Sequence, residues 1–250
     1  MSNDAAPRVA LITGGARRIG AAITRELHTA GCHVIVHYHR SGDAAEALQK
    51  QLNTIRPDSC TILQANLGDM PLLRKLANEV IASHGRIDLL VNNAAGFFST
   101  PLERATEQQW EALFGANVKA AYFLAQALAP ALATAHGAIV NIVDIHASLP
   151  LRNYSIYCMS KAALAMATRS LAVELGPAVR VNAVAPGAIL WPEDPAQPLT
   201  PERARELLGP TALGGMGSPA AVASAVRYLG LEATHITGQI LAVDGGRTLY

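Results

Sequence analysis

Short, continuously apolar runs recur along the chain: VALIT at 9–13, HVIVHY at 33–38, CTILQA at 60–65, DLLVNNA at 88–94, AIVNIV at 138–143, VRVNAVA at 179–185 and QILAVD at 239–244. They are rich in β-branched residues and do not alternate with polar ones, which predicts strands buried on both faces. Between them lie amphipathic, Ala- and Leu-rich segments, among them 19–30, 69–84, 107–135 and 155–175, that read as helices. Parallel neighbours need crossover connections, so this alternation predicts an α/β fold: one doubly wound, seven-stranded parallel sheet with helices on both faces.

The chain has 250 residues, half of them hydrophobic, enough for one large core. No linker or repeat divides it, so 1–250 reads as a single dinucleotide-binding domain of Rossmann type. One Pro- and Gly-rich stretch, at about 187–217, reads as a substrate-covering loop with a short helix near 201–208. Net charge is only +1, which argues against nucleic acid or a membrane surface and for a small-molecule partner. No apolar run approaches the roughly 18 residues of a spanning helix, and the opening MSNDAAPR has no signal core. Cys32, Cys60 and Cys158 are isolated, so neither a disulfide framework nor a zinc pair is expected. A reduced, cytoplasmic setting fits.

Thr13-Gly14-Gly15-Ala16-Arg17-Arg18-Ile19-Gly20 follows the first strand and opens a helix. A pyrophosphate needs glycines for close approach and N–H groups at a helix N-terminus, and this turn supplies both. After the second strand an acid would mark a free ribose hydroxyl, whereas a 2′-phosphate needs positive charge. The residues there are His39, Arg40 and Ser41, with no acid, so NADPH is expected over NADH. Tyr157 and Lys161 form a YxxxK pair on one helical face. A nearby cation would lower the phenol pKa and make Tyr157 a usable general acid. No metal pattern joins His37, His39 or His146 to neighbouring carboxylates, and no metal is expected.

These motifs resemble the short-chain dehydrogenase/reductase family, which carries TGxxxGxG, NNAG, a helix asparagine, YxxxK and Pro-Gly in this order. The resemblance covers essentially the whole chain. It implies cofactor contacts from Gly14, Arg18, Ile19, Gly20, Asn66, Leu67, Asn93, Ala94, Ala95, Pro186 and Gly187, beside those of Tyr157 and Lys161. It also implies that Asn117 helps hold a water beside Lys161. The family's usual serine, thirteen residues before the tyrosine, is replaced by Asp144. An ionised carboxylate only accepts hydrogen bonds and is a poor carbonyl partner, but paired with Tyr157 it suits proton delivery to a ring nitrogen.

Within the family, the pteridine reductases resemble this chain in Asp144, in Arg18 where a glycine is usual, in the HYHRS string and in an aromatic at Phe97. The resemblance implies a pterin or folate substrate bound by Phe97, Asp144, Tyr157 and Arg18, its ring sandwiched between Phe97 and nicotinamide. Ala95 and Gly96 depart from the serines those enzymes often have. The alternatives are a carbonyl reductase, such as a 3-oxoacyl reductase, and a cofactor-binding sensor or scaffold without turnover. A homo-tetramer built through 155–175 and the C-terminal region is what the family implies.

Overall fold

The computed structural model describes residues 6–189, 200 and 211–250. Among them are strands β1 (Val9–Ile12), β2 (His33–Tyr38), β3 (Cys60–Gln64), β4 (Leu89–Asn92), β5 (Ala138–Ile142), β6 (Arg180–Pro186) and β7 (Ile240–Val243). They make one sheet in the order β3-β2-β1-β4-β5-β6-β7, with every neighbouring pair parallel. The described α-helices are α1 (Arg18–Thr29), α2 (Gly42–Ile55), α3 (Met70–His84), α4 (Glu107–Phe114), α5 (Ala120–Thr134), α6 (Ser155–Leu175) and α7 (Pro219–Arg227).

All four residues of β1 are buried because successive side chains leave opposite faces of the sheet, and both faces are covered. Ala10 and Ile12 enter the core layer shared with α1, α2 and α7. Val9 and Leu11 enter the other, with α3, α5 and α6. Leu90 of β4 has no solvent exposure, so truncating it to Ala would cost about 2–5 kcal/mol. At the far edge, Leu241 and Ala242 of β7 are exposed.

Local chemistry sets the helix ends. Asp69 caps α3 by accepting from the Leu72 N–H at 3.0 Å, and Gly85 ends that helix in the left-handed region at φ 66. Thr106 and Gln109 form a reciprocal capping box at the start of α4. The stretch 107–135 is not one uniform helix: a π-helical turn, Gly115–Lys119, joins α4 to α5 and carries the buried Asn117. Such turns cluster at functional sites.

One polar chain crosses the core. Asn92 of β4 faces Asn141 of β5 in the strand register, and its Nδ2 donates to Asn141 Oδ1 at 2.9 Å. Asn141 Nδ2 donates to Thr168 Oγ1 of α6 at 2.9 Å, and that hydroxyl donates to the Leu164 carbonyl.

The chain builds β1, β2 and β3 outward in one direction and then returns to place β4 on the other side of β1. The crevice beyond the carboxyl ends of β1 and β4 is therefore the switch point where such folds hold ligands. Of the expected 187–217 loop, positions 190–199 and 201–210 lie outside the described residues, and with them the expected helix at 201–208. Among the described residues, no helix is long and apolar enough to cross a membrane.

Candidate active site

The turn after β1 is shaped by steric necessity. Gly14 has φ +60, and a Cβ on Gly20 would meet the Gly14 carbonyl oxygen at 2.1 Å. Arg18 adopts φ 52, a left-handed conformation at the position where the family usually has glycine. Thr13 Oγ1 accepts from the N–H groups of Asn93 and Ala94, at 2.9 and 3.0 Å. Asn93 Nδ2 donates in return to the carbonyls of Thr13 and Gly14. The N-terminus of α1 has no side-chain cap and no acid in its first turn, a setting that favours an anion.

His37, passed over in the sequence reading, completes this turn. Its Nδ1 accepts from the Gly14 N–H at 3.1 Å and its Nε2 lies 3.1 Å from the Ala65 carbonyl. Those partners require a neutral ring protonated on Nε2, and burial drives its pKa down to about 4. A histidine inside an otherwise apolar strand was the signal for this role.

At the end of β2, His39 and Arg40 are exposed and Ser41 stands at the N-terminus of α2. Asn66 turns its Oδ1 onto the Gly68 N–H at 3.1 Å, while the Leu67 side chain lies in the core and can meet a ligand only through its backbone. Ile19 and Ala94 are half-buried against the two core layers, and Ala95 is exposed. Pro186 ends β6, and Gly187 is pressed so close to Asp244 that an added Cβ would lie 2.7 Å from the aspartate Cβ.

The sheet and α6 bring Asp144 and Tyr157 together. The phenol hydroxyl donates to Asp144 Oδ2 at 2.7 Å. Asp144 Oδ1 accepts from the His146 N–H at 2.9 Å, so the same carboxylate caps the 3-10 turn Ile145–Ala147. Lys161, buried one turn along α6, donates to the Ile142 carbonyl at 2.9 Å and lies 5.9 Å from the Tyr157 ring centroid.

One expectation needs correcting here. Lys161 does not lower the phenol pKa in this arrangement; burial, then the charge of Asp144 and the bond to it, raise it well above the usual value. The ammonium is turned to a backbone carbonyl, whereas a tyrosinate would face a carboxylate at contact distance. Tyr157 is thus held as a protonated donor. The Asn117 side chain makes its hydrogen bonds to Gly96 and Ser160. Its Oδ1 accepts from the Gly96 N–H at 2.8 Å, and its Nδ2 donates to the Gly96 carbonyl and to Ser160 Oγ. Ser160, another residue the sequence reading missed, donates to the Tyr157 carbonyl at 2.7 Å. Asn117 therefore clamps the 93–96 loop to α6.

Phe97 is 52% exposed. It stacks on Tyr154 with centroids 4.8 Å apart and meets Tyr157 edge-on at 4.8 Å. The three rings form a continuous aromatic wall beside the Asp144 carboxylate. Among the described residues, no cluster of His, Cys, Asp and Glu is arranged to hold a metal.

Comparison with known proteins fits this geometry. A family model described as Enoyl-(Acyl carrier protein) reductase matches residues 14–248. Pteridine reductase 1 of Leishmania tarentolae is 34% identical over 289 residues, spanning 100% of this chain and 99% of its own. The 3-oxoacyl-[acyl-carrier-protein] reductase of Thermotoga maritima is 34% identical over 243 residues, 96% of this chain and 97% of its own. That of Staphylococcus aureus (strain Mu50) is 33% identical over 240 residues, 95% and 96% of the two chains. Identity alone does not separate the pterin from the ketoacyl enzymes.

Proposed function

This chain belongs to the short-chain dehydrogenase/reductase family of oxidoreductases, and from that premise we propose that it is an NADPH-dependent pteridine reductase. The observation that carries the reading is the 2.7 Å bond from Tyr157 to Asp144. A carboxylate beside a protonated phenol is suited to passing a proton to a ring nitrogen. Against a ketone it would face the developing oxyanion, where a donor is wanted.

The cofactor fits the turn after β1, where Gly14 lies in the left-handed region and Gly20 packs too closely on the Gly14 carbonyl to admit a Cβ, the tight glycine turn at a helix N-terminus that a pyrophosphate needs. Gly14, Arg18, Ile19 and Gly20 would hold the pyrophosphate, with Asn93, Ala94, Ala95, Pro186 and Gly187 along the nicotinamide half. Asn66 and the Leu67 backbone would border the adenine. Arg40, His39 and Ser41 would take the 2′-phosphate, since no acid stands at that strand end. NADPH supplies the hydride when bound; the protein's share is positioning and protons. Tyr157 would pass its proton to the reduced ring nitrogen while Asp144 holds the hydroxyl in place, the phenol would then regain a proton from solvent, and Lys161 would orient the ribose side of the site. Phe97 offers the flat surface on which a pterin stacks, and Arg18 lies at the cofactor side of the same pocket.

The ketoacyl relatives favour a second reading, reduction of a 3-oxoacyl carbonyl. NADPH consumption with dihydrobiopterin, dihydrofolate and an acetoacetyl thioester separates the two. Faster turnover of the thioester than of any pterin or folate would overturn the pteridine reading and leave the broader reductase. Absence of turnover on all three would return the chain to a cofactor-binding sensor or scaffold. The same proposal takes the enzyme as a cytoplasmic homo-tetramer. Met159, Met166 and Val173 are exposed at seven-residue spacing along one stripe of α6, and sedimentation of the pure protein tests whether that stripe is covered.

A further inference from the structure

The carbonyl of Asn153 receives two donors from a different loop. The Thr100 N–H reaches it at 2.6 Å and the Ser99 hydroxyl at 3.2 Å. Ser99 and Thr100 follow Phe97 closely, and Asn153 immediately precedes Tyr154, so one oxygen ties two loops together where the Phe97 and Tyr154 rings stack. Thr100 is fully buried and its hydroxyl has no partner among the described residues, so its own side chain supplies no competing polar anchor.

Backbone geometry explains why that oxygen is available. Asn153 has φ 66 and is the third residue of a turn closed by the Tyr154 N–H on the Leu151 carbonyl at 3.1 Å. A left-handed third position is what a type II turn requires. Glycine takes it without cost, asparagine tolerates it, and a β-branched residue is an outlier there. The turn also delivers the chain into α6, on which Tyr157 is placed.

We propose that Asn153 is a positioning residue for substrate affinity. Its left-handed backbone latches the Phe97 loop to the segment bearing Tyr154 and Tyr157, so that a flat heteroaromatic ring meets a wall already assembled. The latch touches neither substrate nor cofactor; it removes an ordering cost that binding would otherwise bear. The substrate half of this inference rests on the pterin reading above.

The test compares the full-length protein with Asn153→Gly, which keeps the left-handed turn, and Asn153→Val, which opposes it. Hydrogen exchange of the segment around Thr100 reads the latch without any substrate. Asn153→Val should exchange there about tenfold faster, and its KM for dihydrobiopterin should rise by a similar factor, because left-handed strain in a β-branched residue is worth roughly a decade in population. kcat and NADPH affinity should change by less than about twofold, since the groups that reduce the ring are untouched, and Asn153→Gly should behave as the parent in every readout. If Asn153→Val does not fold, Asn153→Ala takes its place in the same comparison. Unchanged exchange in the variant, a fall in kcat with KM unmoved, or a glycine variant as impaired as the valine one would each overturn the latch. If no pterin is turned over, the substrate reading fails on its own and the exchange measurement still decides the latch.

Discussion

The Tyr157 hydroxyl and Asp144 Oδ2, 2.7 Å apart, share a single proton that the phenol keeps. Asp144→Asn removes the carboxylate charge and leaves an oxygen to accept the same bond. The phenol should then titrate at lower pH than in the parent, seen as tyrosinate absorbance appearing earlier in an alkaline titration. The same variant should lose pterin reduction by about a hundredfold or more, the usual scale of a general acid–base contribution. Undiminished pterin turnover would remove Asp144 from the chemistry.

Lys161 sets an alkaline limit. Burial lowers its ammonium to about 8, against the opposing pull of Asp144. The charge on α6 is therefore lost as pH rises through about 8, and turnover should fall over the same interval. Its folded pKa lies below the ordinary value of 10.5, so between the two the unfolded chain holds the extra proton and stability should rise with pH. A pH–rate profile and urea unfolding across this range check the two signs. A rate flat through pH 9 or so would contradict the first.

His37 sets an acid limit. Its folded pKa of about 4 lies below the free value of 6.5, chiefly because it is buried. As pH falls through that window the unfolded state takes up the proton first, and up to about 3 kcal/mol of stability is lost. His28, His33 and His84 are also lowered, mainly by burial, and push in the same direction. His37→Gln should therefore show a smaller stability difference between neutral and mildly acid buffer than the parent does. An equal difference in urea midpoints would show that His37 contributes nothing to acid sensitivity.

Arg40→Asp should reverse or abolish the preference for NADPH. A charge-assisted phosphate contact is worth roughly 1.5–3 kcal/mol, which is about ten- to a hundredfold in affinity. Binding titrations with NADPH and NADH on parent and variant measure it, and equal use of both by the parent protein would refute the assignment.

The central strands were legible in the sequence because β1, β2, β4, β5 and β6 are largely buried on both faces, so their runs stay mostly apolar, whereas the edge strand β3 is only partly buried. Observed boundaries fall within a residue or two of the apolar runs. Helix α2 was not singled out, since only Ala45, Leu48 and Leu52 of its fourteen residues are buried and its apolar stripe is thin. The π-helical turn was hidden because it changes hydrogen bonding without changing composition. Tyr157, Lys161 and Asp144 were readable from spacing and resemblance. The direction of the phenol shift was not, because it depends on which way the Lys161 ammonium points. His37 and Ser160 act through partners distant in the chain, Gly14 and Asn117; a histidine in an apolar strand hinted at the first, and no local pattern marked the second.

The amide chain from Asn92 through Asn141 to Thr168 has a bearing on how the molecule avoids the wrong sheet. Valine, isoleucine and leucine fit one another almost interchangeably, so apolar strands alone would tolerate β5 sliding along β4. A slip of one residue would bring Val140 or Ile142 opposite Asn92, and neither can answer its amide. Each stranded polar group would cost about 1–3 kcal/mol, against a total stability of order 10 kcal/mol for a domain. Two asparagines and a threonine thus act as a proofreading device for strand alignment, discriminating where the greasy majority of the core is indifferent.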